Sequence, residues 1–484
     1  MTISSDPISH LINNNLQKPV QRISENGKIH VSNKAWAVRI TILVAISITV
    51  IFRIQQGITK QDPFAIYSTV LPIHIILVFA IAWILYKSPA KGTIGKDLVS
   101  VIIPIYNQKD MIEIVIDAIY RSTFKNIEVI AVNDGSKDGT KEILDNLINK
   151  YHTLKVIHKE NEGKRKAVAT GFYKSKGEYL VMIDSDSVID KNAIAEFMKT
   201  FDANPNVGSV AGQARVWNGQ KNILTKLQSS WWDFSCNIHK ACESAFNSVT
   251  CCSGCLSGYR RHSIANFMPY WIQTNDYHGA DRELSAYAIA TTSVVKDKMV
   301  QALLPTSSSF SQKLRESASR YDDSEDRALT ANSLATWKSL YVASAIVYSD
   351  SPENIKRFLN QQTRWKKGYL RTNFFLSTFF WRRRNPLISL IYYTDLMSTY
   401  AQPFINITIL FYEPFILGNI WIPIVYIIGA ALTGLVQGLD IKFRDPNARY
   451  WKYKPIMNLF GIFALSWLLF YALATFKKNS WMTR

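Results

Sequence analysis

Cysteine is scarce and confined. The five cysteines (Cys236, Cys242, Cys251, Cys252 and Cys255) all fall in one short stretch in the middle of the chain. An odd, clustered set with no secretory h-region ahead of it argues against a disulfide framework and predicts reduced thiols in a cytosolic domain. No second ligand pair follows Cys251, Cys252 and Cys255 at zinc-binding spacing, so metal is not expected there. Acidic residues are also in deficit, with 37 Asp and Glu against 56 Lys and Arg and a formal net charge of +19. Such an excess can signal nucleic acid, but no zinc-ligand or helix-turn-helix pattern accompanies it, and no nucleic-acid partner is expected. An apolar fraction of 48% excludes a disordered tail and a simple soluble enzyme. Cationic cytosolic loops together with a polyanionic substrate account for the charge better.

What is present is a soluble pattern enclosed by apolar runs. The chain of 484 residues is long enough for one large domain plus a membrane region. Residues 1–34 are polar, lack an apolar h-region and read as a cytosolic tail. Residues 35–88 read as a transmembrane hairpin built from Trp36–Phe52 and Ala65–Tyr86. Lys28, Lys34, Lys87 and Lys91 flank its cytosolic ends, and Arg39 is placed to snorkel to the interface. Residues 386–441 read as two further spans, Pro386–Tyr412 and Ile420–Ile441, with Asp395 the only charge deep in the first. An ionisable residue at that depth is expected to face protein or a water-filled path. Within the first of these, Asn406-Ile407-Thr408 matches a glycosylation acceptor by chance. In residues 442–484, Ile456–Phe476 is long enough to span, yet cations lie on both sides of it. That balance predicts an interfacial or re-entrant segment.

Between the apolar regions, residues 95–380 alternate strands and helices. Leu98–Ile105, Ile127–Val132, Lys155–His158, Tyr179–Ile183 and Leu340–Val347 read as strands, and helices are expected over Asp110–Arg121 and from Lys141. Asn133-Asp134-Gly135 and Asp184-Ser185-Asp186 close two of the strands, where open α/β sheets place ligands. Each alone is an ordinary turn. Together they offer one carboxylate to a base or ribose and another to a divalent ion on a diphosphate, for which Mg²⁺ or Mn²⁺ is suited. Gly163-Lys164-Arg165 adds backbone clearance and cations for the same anion. Further on, Asn360–Arg371 reads NQQTRWKKGYLR. A polybasic anchor accounts for Lys366, Lys367 and Arg371, but not for Gln361, Gln362, Arg364 and Trp365, which suit an anion and a stacked ring.

The ordered set Asp134-Gly135, Gly163-Lys164-Arg165, Asp184-Ser185-Asp186, Cys252-Ser253-Gly254 through Tyr259-Arg260, Ser324-Glu325-Asp326-Arg327 and Gln361-Gln362-Thr363-Arg364-Trp365 resembles processive family 2 glycosyltransferases. It is most similar to hyaluronan synthases, with chitin synthases next. The likeness covers roughly residues 36–484. It implies a membrane α-helical protein with a cytosolic α/β, GT-A-like glycosyltransferase domain. It also implies that Asp326 is the catalytic base and Asp186 the metal ligand, supported by Asp184. Asp134, Lys164, Asp184 and Arg364 would contact the nucleotide. Trp365, Gln361, Ser253 and Glu325 would line the acceptor site. The closing Trp481-Met482-Thr483-Arg484 is similar to a gating segment, so Trp481, Thr483 and Arg484 would close over the nucleotide. Cys255 stands where the family usually has Pro, Glu325 replaces the commoner Asp, and Met482 a Gly.

A second acidic stretch, Asp281-Arg282-Glu283, partly imitates the Asp326 motif. Only the Asp326 stretch stands at the family-like separation from Gln361, and residues of about 262–320 then form an insertion. The implied partners are UDP-sugar donors, a growing polysaccharide and the bilayer of the cell membrane. UDP-N-acetylglucosamine is the expected donor, with UDP-glucuronate beside it for a hyaluronan-like product. A chitin-type polymer of one sugar, a non-processive transferase acting on a lipid, and a catalytically dead scaffold are the alternatives.

Overall fold

The β-branched runs form one sheet. In the computed structural model, residues 32–60, 65–272, 282, 284–285, 337–382, 385–445 and 448–476 are described. Its strands are β1 (Val99–Ile105), β2 (Ile127–Asp134), β3 (Leu154–Lys159), β4 (Tyr179–Met182), β5 (Ser187–Ile189), β6 (Val207–Val216), β7 (Ser257–Arg260) and β8 (Lys338–Ser349). Every residue of β1 and β2 is buried, as continuous Val and Ile runs require when helices cover both faces. The strand order is β3-β2-β1-β4-β7-β6-β8-β5. The first four strands run parallel, whereas β7 is antiparallel to both neighbours and β5 is antiparallel to β8. The winding reverses at β1, with β2 and β3 on one side and β4 on the other. A crevice therefore opens where β1, β2 and β4 end, the usual ligand position in such sheets.

The helices fall into two groups. Ahead of the sheet, α1 (Asn33–Lys60) packs beside α2 (Ala65–Ala80), which a π-helical turn at Ile81–Leu85 prolongs. Four helices accompany the strands: α3 (Ile112–Tyr120), α4 (Thr140–Lys150), α5 (Lys164–Lys174) and α6 (Ala193–Ala203). A Cβ at Gly171 would sit 2.4 Å from Ile102 Cγ2, so only glycine lets α5 lie this close to β1. Next, α7 (Ile223–Phe234), a π turn at Ser235–Lys240 and α8 (Ala241–Ala245) carry the chain to the inner end of α2. After β8 come α9 (Ile355–Phe379), α10 (Pro386–Ile407, with a π turn at Thr408–Tyr412) and α11 (Trp421–Arg444). The chain then forms α12 (Lys454–Phe460), a π turn at Gly461–Leu465 and α13 (Leu468–Ala474).

Among the described residues, Trp421–Arg444 and Trp451–Ala474 are helical runs long and apolar enough to cross a membrane. The outer face of α11 exposes Trp421, Val425, Ile428 and Leu432 at helical spacing, an exposed apolar stripe. The acceptor-like Asn406 is buried, and its Nδ2 donates to Ser466 Oγ at 2.8 Å and to the Ile462 carbonyl at 3.1 Å. It is a tie between α10 and the C-terminal run, out of reach of a glycan.

The two groups are locked together by buried charge. Asp440 on α11 accepts from Arg39 of α1 at 3.1 Å and from Arg444 at 3.3 Å. Arg444 also pairs with Asp233 of α7, and Arg215 of β6 pairs with Asp445 at 3.1 Å. Arg39 therefore does not snorkel. Its guanidinium is buried over Trp83 and spends its charge on Asp440, because a carboxylate and an aromatic face lie closer than any interface. Removing one member of such a network leaves a buried charge unpaired, a loss of about 3–5 kcal/mol. Asp440→Ala, which leaves Arg39 and Arg444 facing each other, is expected to lower the melting temperature of the purified protein sharply. Lys150→Ala, at an exposed pair on α4, should leave it almost unchanged.

Candidate active site

The crevice is walled by three loops. At the end of β2, Asp134 is buried, and its carboxylate accepts from Lys159 Nζ at 2.9 Å, Glu162 N–H at 3.0 Å and Gly163 N–H at 2.7 Å. It thereby fixes the loop that launches α5. Gly135 has a φ of +72°, and a Cβ there would meet Asn161 N at 2.7 Å, so the Asp-Gly pair lets the two loops touch. Both oxygens of Asp134 are committed to this loop, and any contribution to a nucleotide is made with the loop as a unit.

The first residue of α5, Lys164, reaches across the crevice to Asp184 Oδ1 at 2.5 Å. This contact joins two of the expected nucleotide contacts. Arg165 departs from expectation. One residue along a helix turns the side chain by about 100°, and Arg165 is buried over the Trp271 ring, 4.9 Å from its centroid, instead of facing an anion with Lys164.

Asp186 sits just ahead of β5. Ser187 Oγ lies 3.2 Å from its Oδ1 and 3.0 Å from Ser349 Oγ. The antiparallel register Ser187↔Ser349 sets Asp186 opposite Asp350, which follows β8. Burial, together with the charges of Asp186 and Glu353, pushes the Asp350 carboxyl up to about 6. Asp350 gave no sign of this in the sequence beyond standing after a strand, because cross-strand register is not written locally. Asp186 and Asp350 are the carboxylates that could share a divalent ion, while Asp184 is held by Lys164. Among the described residues no three acids, histidines or cysteines converge on one point. A set of one or two carboxylates suits Mg²⁺ or Mn²⁺ that also takes phosphate oxygens.

From Asp350 the chain turns directly into α9. Asn218 Oδ1 accepts from Ser351 N–H at 3.1 Å and from Ser351 Oγ at 2.8 Å, Gln228 donates to the Pro352 carbonyl, and Asn354 caps α9. This turn brings the acidic edge of the crevice next to the helix carrying Gln361, Arg364 and Trp365. Trp365 is 39% exposed, and its ring lies 6.1 and 6.4 Å from those of Trp231 and Trp232 on α7. The three rings make an aromatic floor. Its second half was signalled only by the adjacent Trp231-Trp232 pair. Gln361 Oε1 and Gln362 Nε2 are buried beside it with no hydrogen-bond partner among the described residues. The anchor role foreseen for Lys367 does not survive, because it is 1% exposed, and burial lowers the ammonium of the half-buried Lys366. Their helix faces packed protein. Ser253 Oγ accepts from the half-buried Lys240 at 2.8 Å.

Asp326, Glu325, Trp481, Thr483 and Arg484 lie outside the described residues, as does Asp281.

The sheet places acids at its switch point with an aromatic floor beside it, and its sequence is similar to known proteins. Residues 100–267 match the family described as Glycosyl transferase family 2. The match runs through the strands from β1 to β7, so this part of the chain is similar to family 2 glycosyltransferases. The chain is also similar to hyaluronan synthases. Human hyaluronan synthase 3 is 26% identical over 377 residues, covering 75% of this chain and 58% of that protein. The hyaluronan synthase of Streptococcus pyogenes is 24% identical over 455 residues, covering 90% of this chain and 94% of that one. Among solved structures, the mannosyltransferase PcManGT from Pyrobaculum calidifontis, in complex with GDP-Man and Mn2+, covers 85% of this chain and 97% of its own. It does so at a TM-score of 0.48 and 15% identity.

The raised Asp350 carboxyl has a signed consequence. An acid that titrates higher folded than unfolded weakens the fold when charged. The penalty is absent below about pH 4, the ordinary aspartate range. It grows as pH rises and is complete above about 6, where Asp350 is ionised in the fold. Asp350→Asn is therefore expected to melt higher than the wild type at pH 8 in metal-free buffer and level with it at pH 4. A lower melting temperature at pH 8 would contradict the facing-carboxylate geometry.

Proposed function

We propose that the chain is a membrane-embedded processive synthase that transfers sugar from UDP-sugars to a growing polysaccharide and exports the product. One observation carries the reading. A single short turn, from Asp350 to Asn354, links the acidic edge of the crevice to a helix bearing Gln361, Arg364 and Trp365, and apolar helices follow. A transferase that adds one sugar and lets go has no use for an aromatic acceptor floor at that place. The similarity to the streptococcal hyaluronan synthase supports it further, because it runs through both the domain and the flanking helices.

In this reading the donor lies at the ends of β1, β2 and β4, with the loop held by Asp134 against the uridine and Lys164 and Arg364 toward the diphosphate. Trp365 stacks under the terminal acceptor sugar, and Gln361 and Ser253 offer hydrogen bonds to its hydroxyls. Asp326 takes the proton of the attacking hydroxyl, with Glu325 beside it. In-line attack then breaks the bond from the anomeric carbon to the diphosphate with inversion. A divalent ion, Mg²⁺ or Mn²⁺, would be held by Asp186 with Asp350 facing it and would supply positive charge toward the departing diphosphate. Lys164 and Arg364 neutralise the same charge, and Trp481, Thr483 and Arg484 close over the nucleotide. The catalytic domain is cytosolic, and the apolar helices sit in the cell membrane and carry the product outward.

Incubating the purified protein with UDP-N-acetylglucosamine, alone and with UDP-glucuronate, and sizing products on a gel tests this. Long polymer is expected, and its dependence on the second donor distinguishes a hyaluronan-like chain from a chitin-like one. Single additions to lipid would overturn processivity. Asp326→Asn should lower synthesis by about 10²–10⁴-fold, while Asp281→Asn should retain it. Trp365→Ala is expected to shorten the product.

A further inference from the structure

The loop that follows β2 is held from behind by a chain of side chains whose proton positions the geometry fixes. Ser136 N–H donates to Asn133 Oδ1 at 3.1 Å, which sets the orientation of the Asn133 amide. Its Nδ2 then points at His158 Nδ1, 3.0 Å away on the paired strand β3. An amide NH₂ can only donate, so His158 Nδ1 is the acceptor and carries no proton. The ring proton sits on Nε2, which donates to Asp145 of α4 at 2.9 Å. Ser136 in turn accepts from Asn107 N–H through its Oγ at 2.9 Å, and Asn107 Oδ1 accepts from Lys137 N–H at 2.9 Å. Asn107 follows β1 in a left-handed conformation with a φ of +51°, which such bonds stabilise in a non-glycine residue. The run Asp145–His158–Asn133–Ser136–Asn107 thus ties together the loops at the ends of β1 and β2.

We infer that His158 is a positioning residue for the nucleotide-binding loops, competent only as the neutral, Nε2-protonated ring. Resting on the reading of the crevice as a donor site, this assigns a role to a side chain that touches no substrate. A second proton would put Nδ1–H against the Asn133 NH₂, donor against donor. The amide must then turn over, and Ser136 N–H loses its acceptor. With it goes the bridge to Asn107. Among the described residues, Asp145 of α4 is the charged group that meets the ring. Asp134 on β2 is paired with Lys159 of β3, and Glu128 on β2 with Lys155.

The sign follows. Nucleotide binding favours the neutral ring, so affinity is full at the alkaline end and falls as pH drops through the range where histidine gains charge. The test is calorimetric titration of uridine diphosphate, with Mn²⁺ present, into full-length protein in lipid nanodiscs from pH 8 to pH 5.5. For the wild type, affinity is expected to fall about tenfold more than for His158→Gln, the size expected when one histidine proton must leave before binding. The glutamine offers Asn133 an acceptor and Asp145 a donor without titrating, and comparing the two proteins cancels protonation of the diphosphate itself. His158→Gln should match the wild type at pH 8. An equal fall in both proteins would overturn the inference. Hydrogen exchange of residues 133–140 in the wild type, corrected for intrinsic rate, gives a second measure that needs no variant. Protection should drop on acidification, and constant protection would also overturn it. Failure of the wild type to bind uridine diphosphate at any pH would refute the donor-site reading, a result distinct from binding without the pH difference.

Discussion

The buried carboxylate of Asp440 is the contact on which the arrangement depends. It receives Arg39 from the first helix and Arg444 from its own, and Arg444 continues to Asp233 on the helix beneath the aromatic floor. Ion pairs in an interior seldom add net stability over an apolar equivalent, but they tolerate only one geometry. Here that geometry fixes how α7, with Trp231 and Trp232, stands relative to α1 and α11. Arg215 and Asp445 repeat the device at the end of β6, next to the β8 edge that carries Asp350. The sheet is thus keyed to the apolar helices at two points rather than merely resting on them.

The same economy governs the crevice, where most charged groups already have partners. Asp134 is committed to a loop, Lys164 to Asp184, and Lys159 to Asp134. Asp186 and Asp350 are placed differently, as two acids set face to face by strand register, with burial and the neighbouring charges pushing the Asp350 carboxyl upward. Like charges held together raise the energy of the ionised pair. The cost is borne by the surrounding sheet.

Much of this was legible in the chain itself. The strands announced themselves as β-branched runs, and the acids after β2 and β4 marked the crevice, because strand ends and turn residues are local signals. Three kinds of feature were not. Asp350 became significant only through register, Trp231 and Trp232 through packing against a helix distant in sequence, and Arg39 through an acid about four hundred residues away. Arg165 and Lys367 were misplaced for a related reason. A motif gives the residues present but not which side of the helix each occupies, and both turned out to face the interior. Composition alone likewise suggested a basic anchor where the structure has a packed helix.

One recurrent detail has a geometric consequence. Four of the described helical runs contain a π turn, at Ile81–Leu85, Ser235–Lys240, Thr408–Tyr412 and Gly461–Leu465. A wider turn holds one extra residue, so everything beyond it is rotated by about 100° relative to an unbroken helix. A single rod can then show two different faces along its length. The final run does this: before its π turn it lies on α11, and beyond it the same rod addresses α9. The bundle thereby gains a change of neighbour without a loop, and no backbone amide need be left exposed in an apolar surround to achieve it.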